Sequence, residues 1–365
     1  MAALRRSLRR LAPAASRRTP RARETDGRHT AFSWLAEGLT TTATARGRLL
    51  PALHALDVHS DWILLDRESS GRIWEQKLQT YADPASEALY AQQLEDSRGA
   101  QQEVLDLLLE HLPRRYPDSF EIIGAPASGP FPEDALIRVS SRGFEAEYRV
   151  GDYSDFPLRL ASLLVQEDLV LMRGHAIVAG TVHFSFSRFG MSRFGMDMRQ
   201  LHANVPQYAQ DLERPVTRVF DGLVPERPVW RTNWNVAWSP QLLVNPQRYP
   251  HRTASSAEEK AVALEDIKGR IARVGFARAA FLKVEYQTLR RLPRHSDCML
   301  FTVRTFIDPF TNLAERPNAA RSLAANIRRL EEAEFSKYLG IDDVDIRNAV
   351  LDYADGIANP AEANF

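Results

Sequence analysis

The sequence predicts an α+β fold, with an antiparallel sheet in the middle of the chain and helices gathered at both ends. Three observations carry this. Residues 281–306 read as a hairpin: Leu282, Val284, Tyr286 and Thr288 alternate with Lys283, Glu285 and Gln287, a polar segment with Pro293 and His295 intervenes, and Met299, Phe301, Val303 and Thr305 resume the alternation against Leu300, Thr302, Arg304 and Phe306. Two further strand-like segments, 175–186 and 230–238, precede it. Helical periodicity dominates 72–112 before the strands and 316–354 after them.

In chain order, residues 1–30 are rich in Arg, Ala and Ser, with Leu4, Leu8 and Leu11 at helical spacing. They are expected to form a basic, disordered extension, with an organelle transit peptide as the alternative. An apolar secretory core is missing from them. Residues 31–365 are read as a single domain. Its first part is irregular and ends in Trp62-Ile-Leu-Leu65; a helical region from Arg72 follows, broken near Pro84 and halted by Pro113. Residues 114–120 and the Gly/Pro-rich 124–132 read as loops. Leu158–Met172 starts as an amphipathic helix and runs toward a strand. Residues 190–200 are expected to be a loop or short helix, 207–223 a helix, and 240–257 a loop. The first hairpin strand is allowed to begin as early as Phe276. The chain then closes on helices at 316–339 and 344–354.

Composition limits the function. The 365 residues include 44% hydrophobic and 26% charged side chains, as in soluble globular proteins. No apolar run reaches the ~20 residues of a membrane helix. The formal charge is +0, yet residues 1–23 hold eight arginines and no acid, leaving 39 basic against 47 acidic residues in the remainder. An acidic body argues against a nucleic-acid groove. The expected compartment is the cytoplasm, with the mitochondrion as the alternative raised by the Arg-rich N-terminus. The single cysteine, Cys298, excludes an intramolecular disulfide and a cysteine-ligated zinc or iron–sulfur site.

Common catalytic signatures are missing: no phosphate loop, no Gly-x-Ser-x-Gly elbow, no paired histidines of a metalloprotease helix. The adjacent acids Glu167 and Asp168 read as caps or salt-bridge partners more readily than as an acid/base pair. On the hairpin, a pivot near His295 sets Glu285 roughly opposite Arg304, a cross-strand charge pair on either a solvated face or the wall of a site. Trp230, Trp234 and Trp238 recur every fourth residue, so they share one strand face, as core or as an aromatic wall.

Several runs in fixed order carry a resemblance. They are Leu112-Pro-Arg-Arg-Tyr-Pro117, Val165-Gln-Glu-Asp-Leu-Val-Leu-Met172, Leu201-His-Ala-Asn-Val-Pro206, Arg231-Thr-Asn-Trp-Asn-Val236, Glu285-Tyr-Gln-Thr-Leu-Arg-Arg-Leu-Pro293 and Phe301-Thr-Val-Arg-Thr-Phe306. From about Trp62 to about Leu339 the chain resembles the haem-dependent oxidative N-demethylase alpha-subunit family. The resemblance implies a PAS-like antiparallel sheet enlarged by N- and C-terminal helices, haem b bound inside it, and oxygen-dependent demethylation of a small amine. It also implies reductase or ferredoxin-type partner subunits, through which flavin, NADPH and iron–sulfur centres act. Under it, His202 is the expected axial ligand, with His183 as the alternative. Arg188, Arg193 and Arg231 are expected to hold the propionates, with Trp234 beside them. Glu285 and Arg304 are the expected polar wall for a cationic substrate. Phe186-Ser-Arg-Phe189 departs from the family's Pro-Ser-Arg-Trp, and Tyr286 stands where the family carries arginine. The competing expectation is a haem- or ligand-binding PAS-like sensor without chemistry.

Overall fold

The computed structural model describes residues 30–32, 42–43, 49–50, 53–66, 70–124, 126, 130–185, 191–202, 213–242 and 256–358. The N-terminal extension, Arg188, Phe189, Pro206 and most of the 240–257 loop lie outside them. A short ribbon pairs β1 (Thr42–Ala43) with β2 (Leu49–Leu50), and β3 (His54–Ala55) follows. Two helices, α1 (Ser70–Ala82) and α2 (Pro84–Tyr90), meet at Asp83, whose carboxylate caps the second by accepting the N–H groups of Ala85 and Ser86. Next come β4 (Ala91–Gln93), α3 (Arg98–Arg115), β5 (Phe120–Ile123), β6 (Leu136–Ser141), β7 (Phe144–Arg149), α4 (Pro157–Leu164), β8 (Asp168–Arg173) and β9 (Ala176–Thr181). The chain continues through α5 (Met198–Leu201), α6 (Glu213–Gly222), β10 (Val229–Ala237), α7 (Ala257–Val274) and α8 (Phe276–Ala279). After β11 (Phe281–Arg291) and β12 (Cys298–Pro309) it ends in α9 (Pro317–Arg328), α10 (Phe335–Leu339) and α11 (Val344–Ala358).

The strands form a seven-stranded antiparallel sheet in the order β3-β10-β11-β12-β8-β9-β4 and a separate three-stranded sheet β5-β6-β7. The fold is therefore α+β with a large antiparallel sheet. Among the described residues no helix is long and apolar enough to cross a membrane.

Four features differ from the sequence expectation. Ala91–Gln93 is a strand inside the region read as helical, formed because β9 offers it a ladder. Pro113 does not halt α3, which runs two residues further. Residues 120–149 hold a whole sheet; β6 and β7 bury Ile137, Val139, Phe144, Ala146 and Tyr148 in alternation around a turn in which Gly143 takes φ +77°. Finally, α7 precedes the hairpin, started by a capping box in which Ser256 and Glu259 satisfy each other's backbone N–H. The hairpin strand itself starts at Phe281, because 276–279 form a helical turn.

Paired residues share a face, so the register sorts the large sheet into two unlike surfaces. One carries Leu282, Val284, Tyr286, Thr288, Trp230, Trp234, Val236, Leu300, Thr302, Phe306, Leu169 and Leu171. Helices α3 and α4 with the small sheet cover one half of this face, and α7, α9, α10 and α11 cover the other. The opposite face mixes an apolar patch (Val170, Met172, Ile177, Leu289 and Met299, under Met191, Phe220 and Leu223) with a polar end.

Polar side chains inside the molecule tie these layers together. Lys77 on α1 is fully buried, and its ammonium donates to the carbonyl oxygens of Ser162, Val165 and Glu167 at 3.1, 3.0 and 2.7 Å. Those carbonyls close α4, where the helix dipole is negative and its last C=O groups need donors. From Gln166, Oε1 accepts the N–H of Asp66, and Glu167 Oε1 that of Leu64. Asp168 accepts three N–H groups, from His183, Phe184 and Ser185, at 2.7–2.9 Å.

Burial pulls the Lys77 ammonium from its ordinary 10.5 down to about 8, against the opposing pull of Asp168 and Glu167. Between those two values the unfolded chain holds a proton the folded chain has released, so stability rises with pH across that window. One such proton gives a slope of at most about 1.4 kcal/mol per pH unit. Urea unfolding from pH 7 to 10.5 is expected to show this rise in the unsubstituted chain relative to Lys77→Met; parallel curves for the two would refute it.

Candidate functional site

The polar end of the second face is built on β10 and β11. The register sets Arg231 beside Gln287, Asn233 beside Glu285, and Asn235 beside Lys283, and continues across β12 to Val303 and Thr305 and on to Asp168. Six polar residues on two adjacent strands, all on one side, are what a core strand would avoid. Lys283 is 4% exposed. Its ammonium meets Glu285 at 2.9 Å and donates to the carbonyl oxygens of Phe184 and Ser185. The other carboxylate oxygen of Glu285 accepts from Gln287 at 3.0 Å.

Opposite this wall stands the α5 turn. A capping box between Asp197 and Gln200 starts it, and a bridge from Asp197 to Ala176 fixes it to β9. His202 follows at its C-terminal end. The imidazole Nδ1 lies 2.8 Å from the Met198 carbonyl oxygen, which can only accept, so Nδ1 carries the proton and Nε2 the lone pair. Arg193 donates to the carbonyl oxygen of Leu201 at 2.9 Å and so clamps the same turn. Burial lowers the His202 pKa, and the positive charges of Arg231, Lys337 and Arg193 add to that, while the bond to Met198 opposes it. Burial is the largest of these effects, and cations from three elements act in the same direction.

Burial likewise lowers the pKa of Arg231, with Tyr338 and Glu285 pulling the other way. Its Nε is buried and has no hydrogen-bond partner among the described residues; the same holds for Thr305 Oγ1, paired across from Glu285, and for Ser185 Oγ. Unsatisfied buried polar atoms each cost about 1–3 kcal/mol unless something completes them. Chemically the arrangement offers a neutral nitrogen donor, two arginines and a carboxylate around polar atoms that await a partner.

The structure therefore brings His202, Arg193, Arg231 and Glu285 together. Arg188 lies outside the described residues. Arg304 does not join them: it pairs with Tyr286, and Glu285 with Thr305, so Arg304 projects from the opposite face and the expected Glu285–Arg304 pair does not form. Arg304 is buried there, 4.9 Å from the Phe306 ring centroid, and burial lowers its pKa against the pull of Glu167 and Asp66. Trp234 also lies on that face, 1% exposed and 5.2 Å from the Tyr338 ring, in core packing away from the arginines. Tyr286 donates to the carbonyl oxygen of Asp61 on the same side, so the departure from arginine at this position falls outside the polar wall.

His183 is enclosed among aromatic rings, stacked on Tyr90 at 5.5 Å and edge-on to Tyr81 at 5.3 Å. Neither ring nitrogen has a hydrogen-bond partner among the described residues, Nδ1 lying 3.9 Å from an Asp168 carboxylate oxygen, and burial takes the pKa well below the ordinary value. Glu167 and Asp168 act as backbone acceptors, as the capping reading expects. Cys298 is buried on β12, and burial raises its thiol pKa.

Lys283 is the residue that sequence reasoning missed. It was visible as a polar position on a core strand; its partners, the Phe184 and Ser185 carbonyls about a hundred residues away, were not.

A large antiparallel sheet with one covered apolar face and one face ending in a histidine, arginines and a carboxylate defines an α+β domain with a polar end on its second face. Residues 52–348 match the family described as haem-dependent oxidative N-demethylase, alpha subunit-like, and the chain belongs to that family.

The register makes a prediction of its own. In double-mutant cycles read by urea unfolding, Lys283→Met and Glu285→Gln are expected to couple by about 1–3 kcal/mol, and Arg304→Met with Glu285→Gln by under about 0.5 kcal/mol. The reverse order would put Arg304 back on the polar face.

Proposed function

We propose that this chain binds haem b on the polar face and takes part in oxygen-dependent oxidation of a small amine, with electrons supplied by reductase or ferredoxin-type partner subunits. The observation that carries the proposal is the His202 geometry. An axial nitrogen donor must be neutral, with its lone pair on one ring nitrogen and its orientation fixed through the other. The Met198 carbonyl supplies that fixing bond, and burial, with the surrounding cations, disfavours protonation of the ring. Membership of the family supports haem as the group that meets it. With one cysteine in the chain, the paired thioether attachment of a c-type haem is not available, which favours the b type.

The residues present fit the group. Arg231, with its unpartnered Nε, and Arg193 are suited to the propionates by the planar fork of the guanidinium, and Arg188 is a third candidate by its place in the sequence. The apolar patch of Val170, Met172, Ile177 and Met299 adjoins them, closed by Met191, Phe220 and Leu223. The strand order β9-β8-β12-β11-β10, with residues of 191–201 and 216–223 against one face, supports the PAS-like description of the sheet. Haem, when bound, supplies the iron at which oxygen is activated by electrons from flavin and iron–sulfur centres elsewhere.

The protein's own part is binding and orientation. Glu285, already ion-paired to Lys283 and bonded by Gln287, keeps a fixed negative charge on the wall, complementary to a protonated small amine. Lys283 ties that carboxylate to the 184–185 backbone, so the charge does not move when the substrate arrives. Arg304 and Trp234, from the far face, support the sheet from behind in this reading.

A second reading rests on His183, whose two orphaned nitrogens make it the alternative donor. Protein expressed with haem precursor separates the two. A Soret band is expected, lost or shifted in His202→Ala and retained in His183→Ala; the opposite pattern moves the donor to His183, and no band in the unsubstituted chain removes the haem reading. Glu285→Gln is expected to keep the band and lower amine-dependent oxygen uptake by about 10- to 100-fold, mostly in KM. Unchanged kinetics would take Glu285 out of the substrate wall.

A further inference from the structure

A second, cationic cavity opens on the other face of the sheet, between the C-terminal end of α3, the chain around Trp62, and Arg290 of β11. Its volume is about 310 Å³. Arg114, Arg115 and Arg290 contribute positive charge, and Glu110 is the single carboxylate of the lining. Arg290 follows Tyr286 and Thr288 at intervals of two and so shares their face, opposite Glu285. Its guanidinium carbon lies 4.4 Å from the centroid of the Trp62 ring, and His111 meets the same ring edge-on at 5.2 Å.

Three nitrogens around this cavity are buried without a hydrogen-bond partner among the described residues: Trp62 Nε1, His111 Nε2 and Arg290 Nε. Trp62 is 0% exposed, so its ring forms the closed back of the cavity and the arginines carry the accessible charge. The indole and guanidinium N–H groups can only donate. Burial, with Arg290 and Arg115 adding to it, lowers the pKa of His111 to about 4, as expected for a ring facing arginines with no anion between them. Buried donors left open carry a cost of about 1–3 kcal/mol each, and folds seldom gather several around one space unless an acceptor occupies it. The acceptor that suits neighbouring guanidinium groups is an oxyanion. Val58 and Leu107 add apolar surface beside the Trp62 ring, enough for a compact carbon body behind the charged head.

We propose that this cavity binds a small organic anion, with a carboxylate or phosphate head on Arg290 and Arg114 and an apolar body against Val58 and Leu107. The site is distinct from the polar wall of Glu285 and does not depend on what that wall holds. Arg115 is partly committed elsewhere, donating to the carbonyl oxygen of Ser60 at 3.3 Å, so Arg114 and Arg290 provide the mobile charge.

Titration calorimetry of the full chain in low-chloride buffer tests this, with benzoate and phenyl phosphate as probes. Saturable binding of at least one is expected, with a Kd below about 1 mM, weakened at least tenfold, or about 1.4 kcal/mol, in Arg290→Gln. Benzoate alone would assign a carboxylate ligand and phenyl phosphate alone a phosphate ester. Should Arg290→Gln fail to fold by circular dichroism, Arg114→Gln carries the same expectation, because it removes the other guanidinium of the head site. No binding of either probe at about 10 mM, or a smaller loss in the folded variant, overturns the proposal.

Discussion

The carboxylate of Asp168 is the point on which the arrangement depends. It sits 0% exposed at the first position of β8 and accepts three successive backbone N–H groups from residues 183–185. An ionised carboxylate in a core is tolerable only when its lone pairs are filled, and here the chain itself bends to fill them. That bend fixes the carbonyl oxygens of Phe184 and Ser185 toward Lys283, whose ammonium then pairs with Glu285. On the other side, Lys77 closes α4 and feels the charge of Asp168. A line of buried polar contacts thus runs from α1 through the start of β8 to the middle of β11. The carboxylate at the candidate site is positioned from the interior outward, by charges that have no freedom to move.

The two faces of the sheet follow from this. Where the strands meet α3, α4 and the C-terminal helices, most contacts are apolar or aromatic, and several polar groups are satisfied locally: Thr288 with Thr302 at 2.6 Å, Tyr286 with the Asp61 carbonyl, the Trp238 indole N–H with the Leu339 carbonyl. Open polar atoms occur on both faces, Trp234 Nε1 and Arg304 Nε on this one and Arg231 Nε and Thr305 Oγ1 on the other. Those of the second face stand beside a carboxylate and an imidazole, which is what sets that end apart. The same reasoning applied to the cavity at Trp62, His111 and Arg290 picks out a smaller place where donors lack acceptors.

Much of this was legible in the sequence, and the rest was hidden for identifiable reasons. Period-two alternation exposed β10, β11 and β12 and the polar cast of Lys283, Glu285 and Gln287. The helix-to-strand change near Val165 was also visible. The small sheet was overlooked because β5, β6 and β7 are short and spaced by charged residues; the Gly143 turn was their best signal. The capping residues Ser256 and Glu259 marked α7 and were passed over. No local pattern reveals β4, which is extended only because β9 needs a neighbour. His202 stood out through resemblance alone; what makes it chemically distinctive, the Nδ1 bond to Met198 and the nearby cations, comes from α5, β10 and α10 meeting in space.

The hairpin shows how narrow the margin is between a right and a wrong site. Its pivot is His295, held by Glu103, which accepts the N–H groups of Arg294 and His295 and meets His295 Nδ1 at 2.7 Å. That anchoring from α3 sets the register of the whole pair, because the ladder is counted outward from the turn. Reflection about His295 brings Glu285 to Thr305, one position past Arg304. Since the side-chain period is two, that single step moves a guanidinium through the sheet from the ligand face to the core. Arg304 is then a buried cation among Glu167, Asp66 and Asp168, all of which favour its charged form. Glu285 finds its counter-ion two residues away on its own strand instead. An ion pair within one strand leaves the cross-strand position to a small hydroxyl, Thr305, and a small hydroxyl leaves room where an arginine would have filled the wall.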